Sequence, residues 1–189
     1  MLYSIKGTVT KKGEGYCIIS TGALGFHIIA NERTLAGILE GEKSELFCEL
    51  HIRDSSLELF GFQDEASLSL FKMLISVSRI GPRSALGIME ADTPARIAGA
   101  IIEGKAEFLS KTSGIGQKTA ERVIMELRDK LNLDELGGSA KTADIDSDVE
   151  EVLVHLGYKR GEARKAIRKL GNEPEKLEER IKEALKRLQ

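Results

Sequence analysis

The chain has no tryptophan, 5% aromatic residues, three prolines and two cysteines in 189 residues. Each scarcity excludes something. Two cysteines cannot staple a small secreted scaffold, and Cys17 and Cys48 both lie in alternating, strand-like stretches. They read as reduced core thiols of a cytoplasmic protein. His27, His51 and His155 are scattered, and none is spaced with a cysteine or another histidine as metal ligands are. No metal and no other cofactor is expected. No apolar run approaches membrane-spanning length, so no membrane is expected. The N-terminus, MLYSIKG, begins at once with strand alternation and lacks the charged flank and apolar stretch of a signal peptide. No sign of charge dominates: the net charge is −2. Residues 1–63 carry 6 basic and 8 acidic side chains, residues 64–131 carry 10 and 9, residues 132–145 carry 1 and 3, and residues 146–189 carry 11 and 10. Any contact with a polyanion must come from a focused patch rather than from bulk charge.

Catalytic signatures are missing too. There is no Gly-x-x-x-x-Gly-Lys-Ser/Thr loop for ATP, no Gly-x-Ser-x-Gly, no His-Glu-x-x-His and no cluster of carboxylates at metal spacing. The sequence therefore predicts a binding component rather than a catalyst.

What the chain does have is an echo. Residues 74–85 read LISVSRIGPRSA and residues 109–120 read LSKTSGIGQKTA, 35 positions later. Leu74 matches Leu109, Ile80 matches Ile115, Gly81 matches Gly116, Arg83 matches Lys118 and Ala85 matches Ala120. Each copy predicts a helix, a tight glycine turn, and a second helix with a cation in its first turn. The first N–H groups of a helix have no internal partner, and the helix dipole favours an anion beyond them. Glycine lets a ligand approach the backbone where a Cβ would stand in the way. Arg83 and Lys118 add full charges, Ser84 and Thr119 add hydroxyl donors, and Arg122 lies one turn beyond Lys118 on a similar face. One such turn would read as a mere helix stop. Two in register, each followed by a cation, predict a paired grip on a polymer with regularly spaced phosphates. The candidate contacts are Arg79, Ile80, Gly81, Arg83 and Ser84 in the first copy, and Gly114, Ile115, Gly116, Gln117, Lys118, Thr119 and Arg122 in the second.

Around the echo the chain divides into units of an α+β multidomain protein. Residues 1–63 are strand-rich: Leu46, Cys48, Leu50 and Ile52 alternate with Phe47, Glu49, His51 and Arg53. About five strands, punctuated by turns at 13–15, 22–25 and 54–56, predict a small closed barrel of the oligonucleotide-binding (OB) type. Residues 64–131 form the tandem helix-hairpin-helix unit. Asp64 predicts one helix cap, and Thr93 followed by Pro94 predicts another, with that helix ending near Gly104. The last helix opens at Gln117 and carries Ala120, Val123, Ile124, Leu127 and Leu131 on one stripe. Residues 132–146, with Gly137, Gly138 and Ser139, read as a flexible linker. Residues 147–189 predict a three-helix unit. Ser147 and Glu150 form its capping box, Gly157 ends its first helix, a second runs from about Arg160 to Leu170, and Pro174 opens the third.

This order, together with the barrel exit Leu59-Phe60-Gly61-Phe62, the stretch GIGQKTAERV from Gly114 and the stretch Leu156-Gly157-Tyr158, resembles the RuvA family over nearly the whole length. Members are Holliday-junction-binding subunits of the bacterial branch-migration complex. The resemblance implies a homotetramer on an open four-way junction, possible pairing of two tetramers around it, structure-specific rather than sequence-specific binding, and a third unit that contacts the RuvB ATPase motor through Leu153, Leu156, Tyr158 and Leu185. RuvC resolvase is a further implied partner. The family also places an acidic pin at the junction centre, and here Asp54 and Ser55 occupy it, one acid instead of two. A second departure is Arg79, where the family's first hairpin carries glycine: either a left-handed turn is strained, or the turn relaxes and aims an extra cation. Two other classes fit parts of the pattern. A helix-hairpin-helix nuclease or glycosylase would place a catalytic Asp or Lys beside the hairpin, where Asp129 and Lys130 stand. A single-strand-binding protein would use the barrel face.

Overall fold

The computed structural model describes residues 2–53, 56–110, 115–133, 136, 140–170, 174 and 176–188. Five strands come first: β1 (Ser4–Gly13), β2 (Tyr16–Ser20), β3 (Gly25–Ile29), β4 (Lys43–Arg53) and β5 (Ser56–Phe62). They close into a barrel in the order β1-β2-β3-β5-β4. Neighbours are antiparallel except β3 and β5, which meet in parallel at Ile29 and Phe60. The period of two sends Ile5, Val9, Cys17, Ile19, Ile28, Leu46 and Cys48 inside. Both cysteines are free. Burial pushes the Cys17 thiol up to about 11. Burial, reinforced by Cys17, pushes Cys48 up to about 12. Both stay protonated and inert, as core thiols do.

A short helix, α1 (Glu32–Ala36), sits between β3 and β4; the alternation pattern had not indicated it. Its cap is the buried Asn31, whose side chain accepts from the Thr34 N–H at 2.9 Å and donates to the Met89 carbonyl at 3.3 Å. One amide thus ends the barrel strand and ties it to the helical layer.

That layer comprises α2 (Glu65–Ser76), α3 (Pro82–Glu90), α4 (Pro94–Ile102), α5 (Ala106–Ser110) and α6 (Gln117–Leu127). The expected caps form: Asp64 accepts from the Ser67 N–H at 2.7 Å, and Thr93 accepts from the Arg96 N–H at 3.4 Å with Pro94 following. Gly104 leaves α4 with φ 75°. The layer's core includes Leu70, Phe71, Leu74, Ile88, Ile97, Leu109, Ala120, Val123 and Leu127, and it continues into the barrel wall through Phe60 and Phe62. Phe71 packs at 5.3 Å from Phe60 and 4.8 Å from Phe62, ring centre to ring centre. The opposite face of β5 is equally closed. A Cβ on Gly61 would stand 2.4 Å from Ile28 Cγ2, so only glycine fits there.

The last unit holds α7 (Ala140–His155), α8 (Arg160–Arg168) and α9 (Leu177–Lys186) around Val149, Leu153, Ala163, Ala166, Ile167 and Ala184. Here the expectation needs correction. Ser147 is not a cap: α7 begins at Ala140, so the assigned linker is partly helix, and Glu150 instead pairs with Arg164 at 2.8 Å and Arg160 at 3.3 Å. Gly157 does end α7, at φ 96°. Pro174 does not open the third helix, which starts at Leu177 after Lys176; its carbonyl accepts from Arg180 at 3.0 Å. Arg180 is fully buried, and its Nε bonds Asp146 at 2.7 Å. The unit's surface meets the rest of the chain through α7 against α4, and through Arg164, which reaches the Arg33 carbonyl at 3.4 Å.

Phe71→Ala is expected to cost about 3–5 kcal/mol of stability, because it removes the ring on which both barrel phenylalanines rest. Urea unfolding of the variant against the parent measures this.

Candidate nucleic-acid interface

The two glycine caps share one backbone conformation. Gly81 caps α3 with φ −88° and ψ 167°, and Gly116 caps α6 with φ −81° and ψ 162°. Neither helix has a side-chain cap. In both, the glycine carbonyl accepts the first helical bond at 3.0 Å, from Ala85 in one and Ala120 in the other. In α6 the Thr119 N–H also bonds the Gly116 carbonyl, at 2.9 Å; the earliest N–H groups of both helices have no side-chain cap, which is the chemistry of an anion site. Pro82 removes one such donor from α3, while Gln117 keeps it in α6. A Cβ on Gly116 would meet nothing within 4 Å. Packing within the chain does not demand glycine there.

Ile80 and Ile115 are 5% exposed. Their side chains anchor the turns in the helical core and so reach no ligand, leaving the glycines, cations and hydroxyls to face outward. Arg83, Gln117 and Lys118 are exposed, and Ser84, Thr119 and Arg122 are half-buried. Gln117 donates to Glu121 at 3.1 Å. Gly114 lies outside the described residues, as do Asp54 and Ser55 of the pin.

The first hairpin keeps the left-handed turn: Arg79 has φ 70° and is the only non-glycine with positive φ among the described residues. An L-residue in this conformation costs about 1–2 kcal/mol. The strained alternative is the one realised, and it holds an exposed guanidinium next to the cap of α3. The two hairpins also differ electrostatically. Arg83 pairs with Glu58 of β5 at 3.2 Å, whereas Lys118 makes no ion pair among the described residues.

The four apolar residues expected to meet the motor separate. Leu153 is fully buried in the core of the last unit, Tyr158 and Leu185 are half-buried, and Leu156 is 58% exposed. Leu153 is not a surface residue, because its stripe is the one the three helices use to pack on each other. Asp129 and Lys130 are exposed beyond the end of α6. A cleft of about 600 Å³ opens between α1, α4, α7 and α8. Arg96 pairs there with Asp92 at 3.0 Å and Arg164 with Glu150 at 2.8 Å, while the buried Nε of Arg33, also in the lining, has no hydrogen-bond partner among the described residues. Among the described residues there is no group of three metal-ligating side chains, and no helix is long and apolar enough to cross a membrane.

A closed five-stranded barrel, followed by two helices that start at matching glycines without side-chain caps, is the architecture of a DNA-binding protein of the helix-hairpin-helix class. Comparison with known proteins narrows this. Residues 1–61 match the RuvA N terminal domain, residues 71–129 the SAM-like helix-hairpin-helix tandem, and residues 144–189 the RuvA C-terminal domain. The chain is 40% identical to a protein of Chloroflexus aggregans over 98% of its own length and 97% of the relative's. It is also 40% identical to one of Dehalococcoides mccartyi over the same shares, and 35% identical to one of Thermus thermophilus over the full length of both. Each of these relatives is named Holliday junction branch migration complex subunit RuvA. The chain belongs to the RuvA family.

Arg79→Gly is expected to raise stability by about 0.5–1 kcal/mol, the strain released less the added flexibility of the unfolded chain. The same substitution is expected to weaken DNA binding, since it deletes an exposed cation beside the cap. Thermal unfolding and a mobility-shift titration of the one variant check both signs.

Proposed function

We propose that the protein binds four-way DNA junctions by their shape and serves as the non-catalytic subunit of a branch-migration complex. The observation that carries this is the pair of equivalent, uncapped helix N-termini at Gly81 and Gly116, each followed by a cation in the first turn. Backbone N–H groups on phosphate fix position and orientation without reading bases, so binding follows the path of the strands. Arg79, Arg83, Ser84, Gln117, Lys118, Thr119 and Arg122 supply the charge and hydroxyl contacts. Residues 1–63 act as the barrel, 64–131 as the DNA grip, and α7, α8 and α9 as the unit that engages a RuvB-type ATPase, with Leu156 and Tyr158 at its surface. A RuvC-type resolvase acts on the same junction. Work of this kind belongs in the bacterial cytoplasm, where the chromosome lies.

Four arms call for four equivalent grips, hence a homotetramer. The β4–β5 hairpin supports this assembly. Leu46 and Cys48 point into the barrel, and the same alternation carries Leu50 and Ile52 beyond it. Ile52 pairs across the hairpin with Leu57, and the two are 68% and 73% exposed. A cross-strand apolar pair held out in water gains about 1.5–3 kcal/mol per side chain when a neighbouring copy covers it. The Asp54–Ser55 pin would then be gathered at the four-fold centre. Neither the nuclease or glycosylase reading nor the single-strand reading is favoured by the family match.

If each subunit neutralises about two or three phosphates, the tetramer neutralises about 8–12, and log affinity falls with log salt at a slope of about −7 to −11. A slope near −2, or equal affinity for linear duplex, would overturn the tetrameric junction reading. Lys118→Ala is expected to weaken binding to junctions of every sequence alike, and a sequence-selective loss would contradict a phosphate contact. Truncation after residue 138, which removes α7, α8 and α9, is expected to leave junction binding intact and to abolish stimulation of the motor's ATP-driven branch migration. Retained stimulation would move the motor contact elsewhere.

A further inference from the structure

β5 places a carboxylate at the edge of the first hairpin. Phe62, Phe60 and Glu58 lie on one face of the strand by its period of two. Phe62 and Phe60 enter the helical core. Glu58, the next residue outward on that face, stands beside His51 of β4 and reaches Arg83 at 3.2 Å. The contact uses one guanidinium nitrogen, Nη2, and one carboxylate oxygen. The Arg83 side chain is 79% exposed and that of Glu58 22% exposed. The remaining N–H donors of the guanidinium fork are therefore open to a second oxyanion. Glu49, one step inward on the same face, holds Lys72 in the same manner at 3.2 Å, but Lys72 lies on α2, away from the cap of α3. Among the acid–cation pairs of this wall in the described residues, the Glu58 pair is the one that involves a first-turn cation of a hairpin.

We infer that Glu58 is the resident counterion of Arg83, a carboxylate that occupies the cation in the free protein and competes for it with the DNA phosphate. The inference rests on the junction-binding reading and deepens it by assigning an affinity-setting residue to the first hairpin. A phosphate arriving at the α3 N-terminus meets a guanidinium already partly neutralised and a negative charge behind it. Both effects weaken the grip. The second hairpin has no such competitor, since Lys118 has no ion-pair partner among the described residues. The first hairpin is thus the releasable contact and the second the firm one. When a phosphate leaves, Glu58 recaptures Arg83, so the cation is never stranded and the DNA can be handed on.

Glu58→Gln tests this, with the parent, Arg83→Gln and the double variant beside it. Each is titrated with a synthetic four-way junction at several salt concentrations. Relief of one exposed ion pair gives about a 2-fold gain per engaged subunit, compounding to about 16-fold when four engage. Glu58→Gln is therefore expected to bind the junction about 16-fold more tightly, with a steeper salt dependence, because no freed carboxylate takes up a cation. In the Arg83→Gln background the same change is expected to have little effect, since the competition acts through Arg83. Unchanged or weaker binding by Glu58→Gln overturns the inference and leaves the pair as a structural clasp, as does an equal gain with and without Arg83. If the parent shows no preference for the junction over linear duplex, the junction-binding reading fails and this inference with it. A parent that prefers the junction while Glu58→Gln is neutral sinks only the role of Glu58.

Discussion

From Leu59 to Phe62 the chain has no face toward water, and the rest of the molecule is arranged around that wall. Leu59 belongs to the barrel core, Gly61 is pressed against Ile28 and Leu46 on the same side, and Phe60 and Phe62 belong to the helical core. A strand packed on both faces cannot shift register without exposing one core or the other. Its position fixes two things at once. One end runs out into the hairpin that carries Ile52 and Leu57; the other runs into Asp64 and the start of α2. The first glycine turn follows α2 directly, and α3 is tied back to the barrel through the Met89 carbonyl and Asn31. The first glycine cap and the β4–β5 hairpin are set against each other by a single four-residue stretch.

The two turns show how one geometry can be reached from different chemistry. Their caps agree to within about ten degrees in φ and ψ. Yet α3 begins with Pro82, whose fixed φ suits a first helical position, and α6 begins with Gln117. Arg79 holds a left-handed conformation that glycine would adopt without strain. Ile80 and Ile115, each buried, take equivalent places just before the two glycine caps. The strain is stored where a cation near the cap offsets it, the pattern expected at a binding site.

Much of this was legible in the residues. The caps at Asp64 and Thr93, the α6 stripe and the barrel alternation are local signals, written in side chains that act on their own helix or strand. The missed features are those that depend on partners far along the chain. α1 is five residues long and too short for a period, and its cap Asn31 is buried only because Met89 supplies the second bond. The start of α7 was hidden because Gly137, Gly138 and Ser139 end one signal, and Ser147 with Glu150 mimics another. In the fold Glu150 is engaged by Arg160 and Arg164, so it cannot complete a box. Leu153 was assigned to a partner surface although its stripe is the core of its own three helices. Periodicity identifies a buried face but not what buries it. The exposed Leu156, beyond the stripe and next to Gly157, carries the signal that distinguishes the two. Glu58 was invisible for the same reason: nothing in a β-strand announces an arginine 25 residues away.

A chain of net charge −2 that grips a polyanion must keep its acids away from the grip or bind them to something. The wall formed by β4 and β5 does the second. Glu49 is held by Lys72 and Glu58 by Arg83, so the barrel acids nearest the helical layer are neutralised by its own cations. Farther away, Asp92, Glu150 and Asp146 are absorbed by Arg96, Arg164 and Arg180. Lys118 and Arg79 remain outside these pairings among the described residues, and each stands beside an open helix N-terminus. The useful positive potential is therefore local. It is produced by leaving particular cations unpaired, and a whole-chain charge count cannot register it because the pairing is decided by the fold.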